Sequence, residues 1–241
     1  MTRRRADRLL VERGLFESRA RAQAAIAAGL VTADGVVVRK ASDELPIDAH
    51  LAAEAEHPWV SRGGVKLEAA LAVYPVEITG RVCLDVGAST GGFTEVLLAR
   101  GARRVYAVDV GRDQLHARLR AHPAVVSMEQ TDIRALPPAA LAEPPDFAVV
   151  DVSFISLKHV LPGLSSLLAP HSAFVALIKP QFEAGRRDVK KGIVRDPAVH
   201  ETVCADIGAA VIASGWSVAA LLPSPIAGGD GNREFFIAAE R

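Results

Sequence analysis

The sequence predicts an α/β protein in which a mostly parallel, seven-stranded sheet follows a small α+β unit. Beyond residue 58, short apolar runs alternate with longer helical patterns, which is typical of a sheet built from strand–helix–strand units. Before residue 58, two short helical patterns precede a hairpin signal, so this part is organised differently. His57-Pro58 marks the change. We therefore predict two domains, at residues 1–58 and 59–241.

Two helices and a hairpin are predicted in the first unit. Gly14 ends the first helix, and the second is bounded by Ser18, a suitable N-cap, and by Gly29, a suitable C′ residue. Ala33-Asp34-Gly35 lies between two short apolar runs and indicates the turn of a hairpin. The predicted helices and strands span residues 6–13, 18–28, 30–32 and 36–38.

Positive charge is concentrated in this first unit, although the whole chain has a net charge of zero. Residues 1–40 contain nine Lys and Arg against four Asp and Glu, whereas residues 41–57 contain five acidic residues and no Lys or Arg. Such an excess predicts a surface that binds a polyanion, and a solvated helix face is the alternative. The candidate contacts are Arg3, Arg4, Arg5, Arg8, Arg19 and Arg21.

The second unit begins at Trp59 and supplies the large sheet. A helix with an apolar face carries Lys66 ahead of the first strand. Strands are predicted at residues 81–85, 104–109, 125–128, 147–151, 173–178, 217–222 and 234–239, and the last of them is expected to be antiparallel. The helices between them are predicted at residues 92–100, 113–120, 157–168 and 198–214.

A glycine-rich loop, residues 85–92, connects the first of these strands to the helix that follows. Glycine allows a tight turn and a close approach to the backbone, and the unpaired N–H groups of the helix start point at a ligand. The carboxylate of Asp85 would repel a pyrophosphate but suits a cation. S-adenosylmethionine has a sulfonium, an ammonium and no phosphate, so the loop favours this cofactor. Its predicted contacts here are Asp85, Gly87, Ser89, Thr90, Gly91 and Gly92.

Two further carboxylates are placed to bind the same cofactor. Asp109 closes the second strand, where doubly wound, Rossmann-like folds present a carboxylate to ribose hydroxyls. Asp132 follows the third strand, where it would hydrogen-bond an adenine amino group or, as the alternative, serve as an N-cap or turn carboxylate. The loop lacks the Gly-x-Gly start of dinucleotide-binding loops, which argues against a dehydrogenase.

Charged residues at strand ends are the candidates for catalysis, because ligands bind at the carboxyl ends of parallel strands. Asp151 ends the fourth strand, and Lys179 follows the apolar fifth strand. A lysine that emerges from a buried strand is partly desolvated, which favours the neutral form that accepts a proton. Asp151 would orient it, and a structural ion pair is the alternative. Lys66 and Glu234 complete a Lys-Asp-Lys-Glu set.

Motifs in both units resemble known families. Residues 5–10, 18–22 and 26–35 resemble the small RNA-binding domain first recognised in the fourth protein of the small ribosomal subunit. The order of the Lys-Asp-Lys-Glu set, with the glycine-rich loop, is similar to that of FtsJ-class ribose methyltransferases. Further motifs lie at residues 61–67, 151–157, 178–183 and 192–196. Together they resemble the TlyA family of rRNA 2′-O-methyltransferases, historically labelled haemolysins, over essentially the whole chain.

This resemblance implies a Rossmann-like domain that transfers a methyl group from S-adenosylmethionine to ribose 2′-hydroxyls of ribosomal RNA in ribosomal subunits, usually at cytidine. It implies that Lys179 is the general base, and that Asp151, Lys66 and Glu234 shape its proton affinity and position the hydroxyl. The six arginines of the first unit would then contact RNA. No metal is implied, and the seven histidines show no ligand cluster.

Three other functions compete with this one. A membrane-lytic protein fits the older family label, but the sequence has no run of about 18 to 20 apolar residues and begins with a charged segment, so we expect a cytoplasmic protein. A non-catalytic RNA-binding assembly module would not need the Lys-Asp-Lys-Glu set. A base methyltransferase acting at carbon five needs a cysteine nucleophile at a strand end, whereas Cys83 lies in a predicted strand and Cys204 in a predicted helix.

Overall fold

The chain forms two units, Met1–Pro58 and Trp59–Arg241, in the computed structural model, which describes residues 2–228 and 230–241. The first unit has two small antiparallel sheets, in which β1 pairs with β4 and β2 lies between β3 and β5. Its elements are β1 (Arg3–Arg5), α1 (Ala6–Glu12), α2 (Arg19–Ala27), β2 (Val31–Ala33), β3 (Val36–Val37), β4 (Glu44–Pro46) and β5 (Leu51–Ala53).

Local sequence explains the short elements of the first unit. Ser18 is the N-cap of α2, and its Oγ accepts a hydrogen bond from Arg21 N at 3.3 Å. Gly29, with a φ of +75°, follows the end of this helix as predicted. The predicted hairpin is confirmed as the antiparallel pair β2 and β3. Strands β1, β4 and β5 escape sequence prediction because each spans only three residues, too few to show an alternating pattern.

The second unit contains the large sheet, in the order β11-β12-β10-β9-β6-β7-β8. Strand β12 is antiparallel to both of its neighbours, so the predicted mostly parallel sheet with an antiparallel last strand is confirmed. The elements are α3 (Arg62–Val73), β6 (Val82–Val86), α4 (Gly92–Ala99), β7 (Arg104–Val108), α5 (Ala117–Arg120), β8 (Val125–Met128), β9 (Phe147–Val150), α6 (Leu157–Leu167), β10 (Ala173–Ile178), α7 (Pro180–Glu183), α8 (Pro197–Ala213), β11 (Ser217–Pro223) and β12 (Phe235–Glu240).

The helix predicted at residues 113–120 is wrong over its first half, since α5 comprises only Ala117–Arg120. The backbone N–H groups of three consecutive residues, 113 to 115, donate instead to the carboxylate of Glu129 at 2.7 to 2.9 Å. Asp113 has a φ of +53°, which lies outside the right-handed helical region. Hydrogen bonds to a carboxylate that is distant in sequence therefore replace those of the first turn of the predicted helix.

Helices cover both faces of the large sheet. On one face the core includes Phe174 and residues of α6 and α8, and on the other it includes Phe147, Phe236 and residues of α3 and α4. All residues of β6, β9 and β10 are buried, as expected for parallel strands covered on two sides. Polar groups of these segments are consequently confined mainly to the ends of the strands. No helix in the described part of the chain is long and apolar enough to cross a membrane.

The strand register brings several chain segments to one edge of the sheet. Val86, at the end of β6, pairs with Val108 of β7 and with Val150 of β9. Ile178, at the end of β10, pairs with Phe235, at the start of β12. Because β12 runs antiparallel, its start lies where the parallel strands end. The residues that follow β6, β7, β9 and β10 and those that precede β12 therefore share this edge.

The outer strand β11 is irregular. Its pairing with β12 shifts between Val218 and Ala220, which produces a bulge, and the strand ends at Pro223, which has no backbone N–H. All seven of its residues are exposed or partly exposed. Its outer side has no partner strand among the residues described.

Candidate active site and nucleic-acid interface

The glycine-rich loop turns sharply beside β9. Gly87 has a φ of +82°, and a Cβ added there would lie 2.4 Å from the carbonyl oxygen of Asp151. Gly91, with a φ of +101°, is the N-cap of α4, and an added Cβ would meet Leu119 Cδ1 at 2.3 Å. A larger residue fits neither the dihedral angle nor the space at these positions. The loop therefore leaves its backbone open at the edge where the parallel strands end.

Asp85 lies deeper than the sequence indicates. It belongs to β6, as the predicted strand at residues 81–85 indicates, but it is only 1% exposed and so does not lie open at the mouth of the loop. Its Oδ2 accepts a hydrogen bond from Thr94 Oγ1 at 2.6 Å, and its Oδ1 has no partner in the described part of the chain. Burial raises the pKa of the Asp85 carboxyl to about 7, although the Thr94 hydrogen bond opposes this shift. A buried carboxyl with an unused oxygen stabilises a cationic group placed near it.

The carboxylates predicted to bind ribose and adenine line one cavity. Asp109 accepts hydrogen bonds from Ser89 N at 2.8 Å and from Gly111 N at 2.7 Å, which tie it to the glycine-rich loop. Asp132 accepts hydrogen bonds from the guanidinium and the backbone N–H of Arg134, which lower the pKa of Asp132. Asp132 is thus a turn carboxylate, as the alternative interpretation holds, and it also lines the cavity.

Two cavities lie along the strand ends, and Gly87, Ser89 and Asp151 line both. The larger has a volume of about 420 Å³ and the smaller about 220 Å³. The predicted cofactor residues that line them are Gly87, Ser89, Thr90, Gly92, Asp109 and Asp132. A cavity with carboxylates for the adenosine, near a buried carboxyl that favours a cation, fits S-adenosylmethionine.

The Lys-Asp-Lys-Glu set forms two ion pairs. Lys179 Nζ lies 2.5 Å from Asp151 Oδ1 and donates a hydrogen bond to Ser153 Oγ at 2.9 Å. Lys66 Nζ lies 2.5 Å from Glu234 Oε2, and both of these side chains are buried. Lys66 and Asp151 line the smaller cavity together. The ion pair that the sequence leaves open as a structural alternative is therefore present, and Asp151 places it at the cavity wall.

The turn before β12 is built around Glu234. A Cβ at Gly228 would lie 2.4 Å from Glu234 Oε1, so the carboxylate uses space that only a glycine leaves free. Asn232 is 1% exposed; it accepts a hydrogen bond from Val194 N at 3.0 Å and donates one to Gly192 O at 2.9 Å. These bonds fasten the segment that follows α7 to the segment that carries Glu234.

Phe154 protrudes from the wall of the larger cavity. Its side chain is 90% exposed, and its backbone has a φ of +64°, a strained conformation for a bulky residue. Its ring contacts that of Phe182, with 5.0 Å between the ring centroids. The sequence prediction includes Phe154 in a motif but assigns it no role. An aromatic ring held open to solvent beside a cavity offers a surface on which a base can stack.

The six arginines of the first unit differ in their surroundings. Arg5 and Arg19 donate hydrogen bonds to the carboxylate of Asp7, which is fully buried, and these bonds hold the pKa of Asp7 well below its usual range. Both arginines therefore support the core, a role the sequence does not reveal. All six are exposed or partly exposed, and these two differ in their contact with a buried carboxylate from the other four: Arg3, Arg4, Arg8 and Arg21.

A second basic surface follows α7 and lies next in sequence to the candidate active site. This basic turn comprises residues 185–196, and a bridge between Lys190 and Ile193 closes it. Its five exposed basic side chains have no ion pair within the described residues: Arg186, Arg187, Lys190, Lys191 and Arg195. Sequence reasoning missed this surface, although the run of basic residues is a visible signal for it.

Side chains that would support other chemistry are buried. Cys83 and Cys204 are free thiols, and burial raises the pKa of Cys83 to about 12 and that of Cys204 to about 11. Neither is available as a thiolate nucleophile at neutral pH. The ring of His200 is also buried, with Nε2 3.1 Å from Val194 O. Across residues 2–228 and 230–241, no cluster of three His, Cys, Asp or Glu suits a metal ion.

Comparisons with known proteins identify the families that the two units resemble. The FtsJ-like methyltransferase family matches residues 59–241, and the S4 domain family matches residues 4–50. A Bacillus subtilis protein named as the rRNA methyltransferase YqxC is 48% identical over 97% of this chain and 84% of its own length. The 16S/23S rRNA (cytidine-2′-O)-methyltransferase TlyA of Mycobacterium tuberculosis is 42% identical over 98% of this chain and 89% of its own length.

A solved structure is also similar to this chain. A Streptococcus thermophilus protein named as a hemolysin superposes with a TM-score of 0.79 at 44% identity, covering 100% of this chain and 89% of that one. The predicted combination of an S4-type domain and a Rossmann-like methyltransferase domain is confirmed by the two family matches. The methyl donor of such a domain is S-adenosylmethionine, which the cavity and Asp85 fit. The chain belongs to the TlyA family of FtsJ-like methyltransferases.

Proposed function

We propose that this enzyme transfers methyl groups from S-adenosylmethionine to ribose 2′-hydroxyls of ribosomal RNA, at cytidine, with Lys179 as the general base. The observation that carries the proposal is the contact of Lys179 with Asp151, which lines the same cavity as Asp109 and Asp132. A proton acceptor thus lies beside the candidate cofactor site. The name of the Mycobacterium tuberculosis relative, which specifies cytidine-2′-O-methylation of 16S and 23S rRNA, supports this choice of substrate.

The residues of the second unit divide between cofactor binding and proton transfer. When bound, S-adenosylmethionine supplies a methyl group on a sulfonium, a strong electrophile that requires in-line attack. Asp85 would stabilise the cationic end of this molecule, Asp109 would bind its ribose and Asp132 its adenine. The backbone of the glycine-rich loop, opened by Gly87 and Gly91, would contact it.

Lys179 removes the proton from the attacking hydroxyl. A ribose hydroxyl is a weak acid and a poor nucleophile, so its proton leaves as the new O–C bond forms and the bond from the methyl carbon to sulfur breaks, which leaves a neutral thioether. The neutral amine of Lys179 accepts this proton, while Asp151 and Ser153 hold Nζ in place and Asp151 stabilises the resulting ammonium. Proton removal of this kind contributes about 10²- to 10⁴-fold in rate. Alignment of the reacting atoms contributes roughly 7 kcal/mol or more in favourable systems.

The buried pair of Lys66 and Glu234 has a different role. Lys66 lines the smaller cavity, where its ammonium is placed to donate to the ribose of the substrate. Glu234 neutralises this charge and fixes the direction of Nζ. The pair therefore positions the hydroxyl, and Lys179 takes its proton.

RNA binding extends over both units in this proposal. Residues 1–58 form the RNA-binding domain, and residues 59–241 form the catalytic domain. In the first domain Arg3, Arg4, Arg8 and Arg21 contact phosphates, together with the exposed parts of Arg5 and Arg19, which also pair with Asp7. The basic turn adds a second set of phosphate contacts, and Phe154 stacks on a base next to the target. The proposed substrate of the two domains is the RNA of ribosomal subunits in the cytoplasm.

Methyl transfer to purified ribosomal subunits, followed by mapping of 2′-O-methylated nucleotides, tests the proposal. We expect Lys179→Ala to lose at least about 10²-fold in transfer rate while still binding the cofactor. Lys158→Ala is the matched control, because this exposed lysine pairs only loosely with Asp206, at 3.9 Å. Full activity of Lys179→Ala would overturn the assignment of the base. If no ribose methylation differs between cells with and without the protein, the proposed substrate is wrong.

A further inference from the structure

A carboxylate outside the predicted set links the loops that carry Asp151 and Lys179. Glu183 is the last residue of α7, and its chain segment begins at Lys179. Glu183 Oε1 accepts a hydrogen bond from Leu157 N at 2.8 Å, and its Oε2 accepts one from Ser156 Oγ at 2.5 Å. Ser156 and Leu157 end the loop that begins at Asp151.

These hydrogen bonds lie at the N-terminus of α6, where a helix stabilises a carboxylate. The first N–H groups of α6 have no partner within the helix, and the helix dipole stabilises negative charge at this end. Ser156 is the N-cap of α6, and its Oγ also accepts a hydrogen bond from Lys158 N at 3.2 Å. Ser156 and Glu183 therefore cap α6 together, and the cap joins the two loops.

The remaining contacts between the two loops involve groups with candidate chemical roles. Lys179 contacts Asp151 and Ser153, and the exposed ring of Phe154 contacts Phe182. Of the hydrogen bonds described between these loops, only those of Glu183 do not involve Lys179. Glu183 thus holds the loops together independently of the protonation state of the amine.

We propose that Glu183 is a positioning residue for methyl transfer. It holds the loop between β9 and α6 against α7, so that Asp151 stays in contact with Lys179 and Phe154 stays beside the cavity. The inference rests on the proposed function, because it takes Lys179 as the base. Without the carboxylate, Leu157 N loses its acceptor, the loop relaxes, and Asp151 moves away from the amine.

The test compares Glu183→Ala with Glu183→Gln. The glutamine keeps an acceptor for Leu157 N and a polar partner for Ser156 Oγ, whereas the alanine keeps neither. Single-turnover methyl transfer is measured with saturating cofactor and RNA, together with cofactor affinity and melting temperature. Glu201→Ala, at an exposed carboxylate on α8, is the matched control.

We expect Glu183→Ala to lower the transfer rate roughly ten- to a hundredfold without weakening cofactor binding. Glu183→Gln should restore the rate, because it keeps the acceptor for Leu157 N. Merely structural damage would lower the melting temperature and weaken cofactor binding together with the rate.

The outcomes separate the two proposals. If Lys179→Ala is inactive and Glu183→Ala retains the rate of the unmodified enzyme, the positioning role is wrong and the base assignment stands. A rate loss in Glu183→Ala that the glutamine variant does not rescue also overturns the positioning role. If Lys179→Ala is active, the base assignment fails, and the inference about Glu183 fails with it.

Discussion

Lys66 and Glu234, which are 168 positions apart in the sequence, form a buried ion pair with 2.5 Å between Nζ and Oε2. The side chains are 9% and 3% exposed. The pair joins α3, at the start of the second unit, to the turn before its last strand. Removing two charges from water is costly, and their attraction offsets this cost only while both partners are present.

Lys66→Met should therefore destabilise the second unit strongly, because it leaves the Glu234 carboxylate buried without its partner. We expect the free energy of unfolding to fall by about 3–5 kcal/mol. Lys66→Met combined with Glu234→Met should regain most of this loss while methyl transfer stays abolished. Denaturant unfolding and transfer assays on both single variants and the double variant measure this. Additive stability losses, or an active double variant, would contradict the proposed roles of the pair.

Cofactor binding should release a proton from Asp85. Burial raises the pKa of this carboxyl to about 7, so the free protein holds the proton below that pH. A nearby cation favours the ionised form, so affinity for S-adenosylmethionine should rise with pH up to about 7. Calorimetry near pH 6 in buffers with different protonation heats detects the released proton. Asp85→Asn should abolish the release, and equal heats in all buffers would show that Asp85 does not respond to the cofactor.

Acid should loosen the first unit through Asp7. The pKa of Asp7 is lower in the folded state than the ordinary value of 3.8, so its stabilising contribution is present above that pH and is lost as the pH falls further. Asp7→Asn removes the charge at neutral pH and should cost about 1–3 kcal/mol. Hydrogen exchange of peptides from α1 and α2, corrected for intrinsic rates, measures the effect. Asp48→Asn, at an exposed position, is the control, and equal protection in both variants would contradict the prediction.

Phe154 should show opposite effects on stability and activity. Its φ of +64° suits glycine, so Phe154→Gly should raise the free energy of unfolding by about 1 kcal/mol. The same change removes the exposed ring and should lower methyl transfer to RNA, whereas Phe154→Tyr should retain it. Denaturant unfolding and initial transfer rates on ribosomal subunits give the two readouts. Unchanged transfer by Phe154→Gly would remove stacking from the proposed mechanism.

The sheet could be predicted because its strands depend on local sequence. Strands covered by helices on both sides are mostly apolar, and the predicted bounds of β10 therefore match the structure, Ala173–Ile178. The helix prediction fails over residues 113–116, because the Glu129 carboxylate accepts hydrogen bonds from the backbone N–H groups of residues 113 to 115. Helical periodicity carries no information about such a distant partner.

The residues of the candidate site likewise fall into two groups: those that local sequence indicates and those that only the fold reveals. Lys66, Asp151, Lys179 and Glu234 stand out as charges in apolar surroundings and match a family order, so the sequence indicates them. The sequence assigns Asp85 to a strand correctly, but it does not show that the side chain is buried, because a loop motif carries no information about depth. Glu183, Asn232 and Asp7 act through backbone groups or side chains that only the fold brings near. Their types and spacing give no sign of those partners.

The irregular edge of the sheet bears on how the protein behaves at high concentration. A regular outer strand is a template on which another chain can add its own strand, and this is a common route to aggregation. In β11 the bulge between Val218 and Ala220 disturbs the spacing of the free hydrogen-bonding groups, and Pro223 removes one donor. Solubility of the folded protein thus depends in part on the bulge and on Pro223, and stabilising changes to β11 should leave both intact.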